Sequence, residues 1–201
     1  MEHAKEYFPE ETRQRILEAA GERFQQYGYN KTTMAEIAKD CDMSAANLYR
    51  YFDNKLAIGA GLACHCLDEG VEKLKKVVLN KQLPPSAKLR EFILATLDHT
   101  HTRWSETPRM NEMVTAICHE RTDIVDQHVQ KKQALLITLI KEGNQMGEFD
   151  VADPEVTAEA ILTANTLFGV PLLMPLFSRE AFERKANNLA SLLLNGLLKQ
   201  K

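Results

Sequence analysis

The sequence predicts an all-α protein, a small N-terminal three-helix unit followed by a larger helical body, with about nine helices in all. Apolar residues recur at steps of three and four along most of the chain, which places them on one side of a helix. Proline, glycine and Ser/Thr/Asp residues punctuate these runs where helices begin and end. No stretch sustains the period-two alternation of a half-buried strand.

With 201 residues, 44% hydrophobic and 26% charged, the chain has the balance of a globular protein with one sizeable core or two modest ones. Its most apolar stretch is interrupted by Pro171 and Pro175, so no membrane span and no membrane partner are expected. The start, MEHAKEYFPEE, is acidic and lacks the apolar segment of a signal peptide. Cys41, Cys64, Cys66 and Cys118 fall inside helical or turn patterns rather than at scaffold spacings. A cytoplasmic protein with reduced thiols is the expectation.

Pro9, Glu10 and Glu11 open the first helix, residues 10–27, with Ile16, Leu17, Ala20, Phe24 and Tyr27 at helical spacing and Gly28 as its stop. After the loop Tyr29-Asn30-Lys31, Thr33 and Glu36 form a capping box for a short helix carrying Met34, Ile37 and Ala38 on one side. Cys41-Asp42-Met43 breaks that helix, and Ser44 caps a third one running to about Phe52. On it Leu48 and Phe52 turn inward. Ala46, Asn47 and Arg50 then point outward, with Tyr49 and Tyr51 at the flanks. Such a face suits the major groove, where Asn pairs with adenine and Arg with guanine, while Ala45 and Ala46 permit close approach to a thymine methyl.

The run LYRYFDNK, residues 48–55, behind the capped segment T-x-x-E-I-A, resembles the TetR family of transcriptional regulators. The resemblance covers roughly residues 9–62. It implies a helix-turn-helix DNA-binding domain over 9–62 and a helical effector-binding and dimerisation domain over 63–201. The function implied is a ligand-responsive repressor that binds a palindromic double-stranded operator as a homodimer and is released by a small hydrophobic effector. Thr33, Tyr49, Tyr51 and Lys55 would hold phosphates, aided by the amide ends of the two short helices. With Ser44, Ala45, Ala46, Asn47 and Arg50 they make up the expected DNA-binding set.

Charge bears on how such binding would work. Residues 1–58 hold eight Lys/Arg against ten Asp/Glu, a net of −2, whereas nucleic-acid binders are often basic. The acids crowd the first helix at Glu10, Glu11, Glu18 and Glu22, while Lys31, Arg50 and Lys55 belong to the presumed DNA face. Affinity should therefore rest on a few located cations, with a modest salt dependence.

A long helix from Lys55 to Val78, with Leu56, Ala63, Leu67, Val71 and Leu74 in register, is the expected rod between reader and body. Pro84-Pro85 breaks the chain, and Ser86 caps a helix with Leu89, Phe92, Ile93, Thr96, Leu97 and Trp104. Pro108 opens another, with Met110, Met113, Val114 and Ile117 inward. Asp123 caps a long helix with Val125, Val129, Leu135, Leu136, Leu139, Ile140 and Met146, stopped at Gly147. Asp153-Pro154 starts a helix through Leu167, and Ser178 caps the last, extending to Lys199. Leu192, Leu193 and Leu194 cannot share one face, so the last helix is apolar nearly all round. The resemblance implies that these last two helices form the dimer surface. It also implies an effector pocket between Ser86 and Phe177, for which His101, Trp104, Met110, Met113, Ile117, Met146, Asn165 and Phe168 are the candidate lining residues.

Cys64-His65-Cys66 and His99-x-His101 look like metal ligands on paper. On a helix, residues two apart point ~200° away from each other, so no metal and no cofactor are expected. There is no P-loop, G-x-S-x-G, H-E-x-x-H or Gly-rich βα turn, and Glu112, His119 and Glu120 read as a solvated set. The chain is therefore not expected to be an enzyme. The rival reading is a helical interaction module without DNA binding.

Overall fold

A computed structural model describes residues 9–197. The acidic start of the chain and Lys199, the expected end of the last helix, lie outside the described residues. In order the elements are α1 (Pro9–Tyr27), α2 (Met34–Asp40), α3 (Ala45–Leu48), α4 (Lys55–Val78), α5 (Pro85–Glu106), α6 (Asn111–Glu120), α7 (Thr122–Gln145), α8 (Pro154–Ala164), α9 (Thr166–Gly169) and α10 (Arg179–Leu197). Two 3-10 segments, Pro108–Met110 and Pro171–Leu176, precede α6 and α10. No β-strand occurs among the described residues, and no helix there is long and apolar enough to cross a membrane.

Among the described residues ten α-helices stand where about nine are predicted. The single helix expected from Pro154 to Leu167 divides at Asn165 into α8 and α9. Most other predicted starts and stops are well placed, but Ser86 falls inside the first turn of α5 rather than capping it, and α3 ends before Phe52. Asp153 accepts from Val156 N at 3.0 Å ahead of Pro154, and Ser178 accepts from Ala181 N at 3.3 Å. Gly28 ends α1 at φ +90°, a conformation that other residues adopt at a cost. Asp123 lies inside the first turn of α7 rather than capping it.

The chain divides into two compact units. One holds the residues up to His65 together with Thr107–Arg121; the other holds Cys66–Glu106 and the chain from Thr122 onward. In the first, Ile16, Ala20 and Phe24 of α1, Ile37 and Ala38 of α2, Leu48, Phe52 and Ile58 are buried. In the second, α5 serves two cores. Leu89 and Phe92 join Leu136, Leu139, Ile140, Ala158 and Ile161, while Ile93 and Leu97 join Phe168, Met174, Phe182 and Ala186.

Candidate nucleic-acid interface

The turn between α2 and α3 is closed from both sides. Thr33 Oγ1 accepts from Glu36 N at 3.3 Å, and Glu36 Oε2 accepts from Thr33 N at 2.8 Å, which completes the capping box. The Thr33 hydroxyl, which also donates to Glu36, holds that carboxyl below its usual range. At the far end of α2, Met43 N donates to Ala38 O at 3.0 Å and Asp42 N to Lys39 O at 3.1 Å. These are the two bonds of a Schellman ending, and the left-handed residue it needs is Asp42, at φ +53°. Ser44 then accepts from Asn47 N at 3.2 Å to start α3.

The regular part of α3 stops at Leu48, four residues short of the predicted end. Its turn continues through Arg50 N to Asn47 O at 3.2 Å, Tyr51 N to Leu48 O at 3.0 Å and Phe52 N to Leu48 O at 3.1 Å. Leu48 and Phe52 are buried, Ser44, Ala46, Tyr49 and Arg50 are exposed, and Ala45, Asn47 and Tyr51 are half-buried. Thr33 is exposed at the start of α2. The outward face expected from the periodicity is thus present, with Asn47 deeper in it than its neighbours.

Lys55 requires a correction. It is expected to hold phosphate, but its ammonium donates to Tyr29 O at 2.6 Å, Thr32 O at 2.9 Å and Asn30 O at 3.4 Å. It also lies 4.4 Å from the centre of the Tyr29 ring. Burial pulls its pKa down against the opposing effect of Glu112. Lys55 is a brace for the α1–α2 loop. Asn54, whose Oδ1 accepts from Ala57 N at 2.8 Å, caps α4 beside it.

The same loop is tied by α6, more than 80 residues along the chain. Glu112 Oε2 accepts from Asn30 N at 2.9 Å and lies 3.3 Å from where a Cβ on Gly28 would stand. Arg109 donates to Gln26 O at the end of α1. Met113 lies against Gly59 and is buried. Sequence reading places this segment in the body and Glu112 in solvent, and no local signal contradicts that, because both partners of each contact look ordinary in their own neighbourhoods.

A family model described as "Bacterial regulatory proteins, tetR family" matches residues 16–59, the stretch containing this turn. A second, described as "Tetracyclin repressor-like, C-terminal domain", matches residues 85–190, more than half of the chain. The chain belongs to the TetR family. Like that family, it is a DNA-binding transcriptional regulator and not an enzyme. Among its relatives, the probable regulator ArpR of Pseudomonas putida is 28% identical over 177 residues, 83% of this chain and 82% of that one. QacR of Staphylococcus aureus is 26% identical over 190 residues, 92% of this chain and 97% of that one. In fold, the chain resembles a TetR-family regulator from Mesorhizobium loti, with a TM-score of 0.74 at 16% identity, covering 96% and 100% of the two chains. SmeT of Stenotrophomonas maltophilia, the repressor of a multidrug efflux pump, gives 0.66 at 18% identity, covering 94% and 91%.

The residues expected to line one effector pocket fall in both compact units. Met110, Met113 and Ile117 belong to the reader unit, while His101, Trp104, Met146, Asn165 and Phe168 belong to the body. Met146 is exposed just past the end of α7, where Gly147 turns the chain at φ +69°. His101 packs edge-on to Trp104 at 5.8 Å and to Phe182 at 6.5 Å, and Phe168 meets Phe182 at 6.3 Å. These contacts fill a core. An open cleft of about 820 Å³ is lined instead by Lys76, Asn80, Arg90, Glu91, Ser191 and their neighbours, and by none of the eight.

The buried face of α7 also departs from expectation. Val129 is exposed, and the inward row is Ile124, Lys132, Leu136, Leu139 and Ile140. Steps of four back from Leu136 reach Lys132, His128 and Ile124. The signal was in the sequence, hidden because two of these positions are polar.

Proposed function

We propose that this regulator is a cytoplasmic repressor that reads a palindromic operator as a homodimer and is released by a small, largely apolar effector bound in the body. What carries the reading is the α2–α3 turn, capped at both ends and presenting Ala46, Tyr49 and Arg50 outward over a buried Leu48 and Phe52. That is the geometry with which a helix-turn-helix enters the major groove. Asn47 and Arg50 are the base readers, and Thr33, Ser44, Tyr49 and Tyr51 hold the backbone, with Ala45 and Ala46 allowing close approach.

One such module spans only a few base pairs, so two copies on a two-fold site are needed for specificity. The outer faces of α8 and α10 are the surfaces for this pairing. Val156 and Leu192 are 62% and 70% exposed there, while Leu194 is in the core. An effector is supported by the relatives: SmeT has been crystallised with triclosan, and FrrA is a flavonoid-responsive regulator. The message would travel along the chain segments that pass from body to reader, through α4 and through both ends of α6.

Footprinting on the DNA beside the gene tests this, together with two substitutions. Arg50→Ala should cost about 1–3 kcal/mol at one base position and leave stability within about 0.5 kcal/mol. Lys55→Met should instead lower stability by about 1–2 kcal/mol, as expected of a brace. A chain that protects no palindrome, or an R50A variant with unchanged affinity for every sequence, sinks the reading.

A further inference from the structure

Among the described residues the body buries two lysines, and one of the two has a counter-charge. Lys88, 1% exposed, donates to both oxygens of Glu142 at 2.7 Å. Lys132 on α7, 8% exposed, has no hydrogen bond or ion pair among the described residues. An ammonium drawn this far out of water without a partner is costly for a fold to carry. Burial lowers its pKa to about 8, which still leaves it mostly charged at neutral pH.

Other groups around it lack partners too. A Cβ on Gly169 would stand 3.3 Å from Lys132 Nζ and 3.4 Å from Thr96 Cγ2, so the missing side chain leaves the ammonium room beside α9. One turn before Gly169, Asn165 is 2% exposed with neither amide atom paired. One turn before Lys132, His128 has an unpaired Nδ1, and burial lowers its pKa to about 4. On α5, His99 Nε2 lies 3.2 Å from Cys66 O and must donate to it, which leaves Nδ1 an unfilled acceptor. Lys132, Thr96 and Gly169 thus meet, and His128, His99 and Asn165, each with an orphaned polar atom, lie within one turn of them along the chain.

We propose that this region is the polar end of the effector site and that it takes an organic monocarboxylate. The carboxylate pairs with Lys132 Nζ and accepts a second bond from the Asn165 amide, and the apolar body of the ligand lies against the core to which Phe168 belongs. The assignment rests on the regulator reading and gives its effector a charge. Burial lowers the pKa of both imidazoles, and the charged groups around them, such as the Asp68–Lys131 pair, are exposed, so Lys132 supplies the buried positive charge of the site. A monoanion balances it, a neutral ligand leaves it unpaired, and a dianion such as phosphate brings a negative charge with no partner.

The test is calorimetric titration and thermal melting of the full chain at pH 7 with matched acids and amides: 4-phenylbutyrate and 4-phenylbutanamide, octanoate and octanamide, 1-naphthoate and 1-naphthamide. At least one acid should bind ten times more tightly than its amide. Lys132→Met should abolish that preference while melting about 3 °C or more above the wild type without ligand. Asn165→Leu should weaken the acid several-fold and keep its advantage over the amide. The proposal fails if no acid outdoes its amide, if K132M keeps the preference, or if K132M melts below the wild type. Operator footprinting on the same preparation separates the two readings. A footprint released by a neutral compound and by none of the acids overturns the carboxylate alone. Acid preference without any footprint overturns the regulator reading and keeps the site.

Discussion

Lys55 in the reader and Lys132 in the body are both drawn out of water, and the fold treats them in opposite ways. Lys55 ends on three backbone carbonyls and a tyrosine face, and in doing so holds the loop that leads into α2. Lys132 ends on nothing among the described residues. The same contrast runs through their surroundings. In the reader, Thr33, Glu36, Ser44, Asn54 and Glu112 each meet a partner. In the body, His99, His128 and Asn165 each leave at least one buried polar atom unpaired, whereas in the reader Arg13 Nη1 alone does so among the described residues, its guanidinium lying over the Phe52 ring. A surface that must meet DNA in a fixed shape is stabilised when its polar groups are satisfied internally. On the proposed function, an interior that admits and releases an effector keeps bonding capacity in reserve, at a cost in stability.

The sharpest way to break this comparison is to orphan a lysine that now has a partner. Glu142→Leu leaves the Lys88 ammonium buried without its carboxylate, and should cost about 3 kcal/mol in urea denaturation. If E142L is as stable as the wild type, burial of an unpaired ammonium is cheap in this body and the significance given to Lys132 is lost.

Acid provides a second, smaller test. The folded pKa of His128 is about 4, against 6.5 for an unperturbed histidine, the cause being first its burial and then the nearby Lys132 charge. At pH 7 the folded ring is neutral and the unfolded one mostly so, and the residue contributes little pH dependence. As pH falls from 6.5 towards 4, the unfolded chain takes up a proton that the folded one refuses, so stability is lost across that window. The loss should reach about 2 kcal/mol, allowing for the part of the ring that solvent reaches. His128→Leu should flatten the curve between pH 6.5 and 4, as followed by thermal melting. A curve of unchanged slope would mean that the ring is solvated.

The smallest effect is expected in the reader, where little is left unsatisfied. Asp42→Gly relieves a left-handed backbone and should stabilise the protein by about 0.5 kcal/mol, with operator affinity unchanged. Loss of stability on this change would show that the aspartate side chain contributes something that the backbone bonds of the turn do not.

Much of the reader was legible because its determinants are local. Thr33 and Glu36 are three residues apart, Ser44 and Asn47 likewise, and Leu48 and Phe52 are one turn apart, so spacing alone predicts the caps and the buried side. Even here the turn hid one device. The left-handed position usually held by glycine is Asp42, and composition does not single it out. Lys55 was misjudged because a lysine four residues after a tyrosine pair looks the same whether it faces a phosphate or a carbonyl.

The sequence by itself determined that the chain is helical, where most helices begin and end, and which side of α3 faces out. Those properties depend on residues within a turn or two of each other, whose geometry is the same in any fold. Only the tertiary structure decided that Glu112 secures the reader's loop, that Lys88 has a carboxylate and Lys132 has none, and that the expected pocket residues fall into two units. Partnership across 50 or 80 residues depends on how helices pack, and a polar residue in an apolar row reads alike whether its charge is met or left waiting.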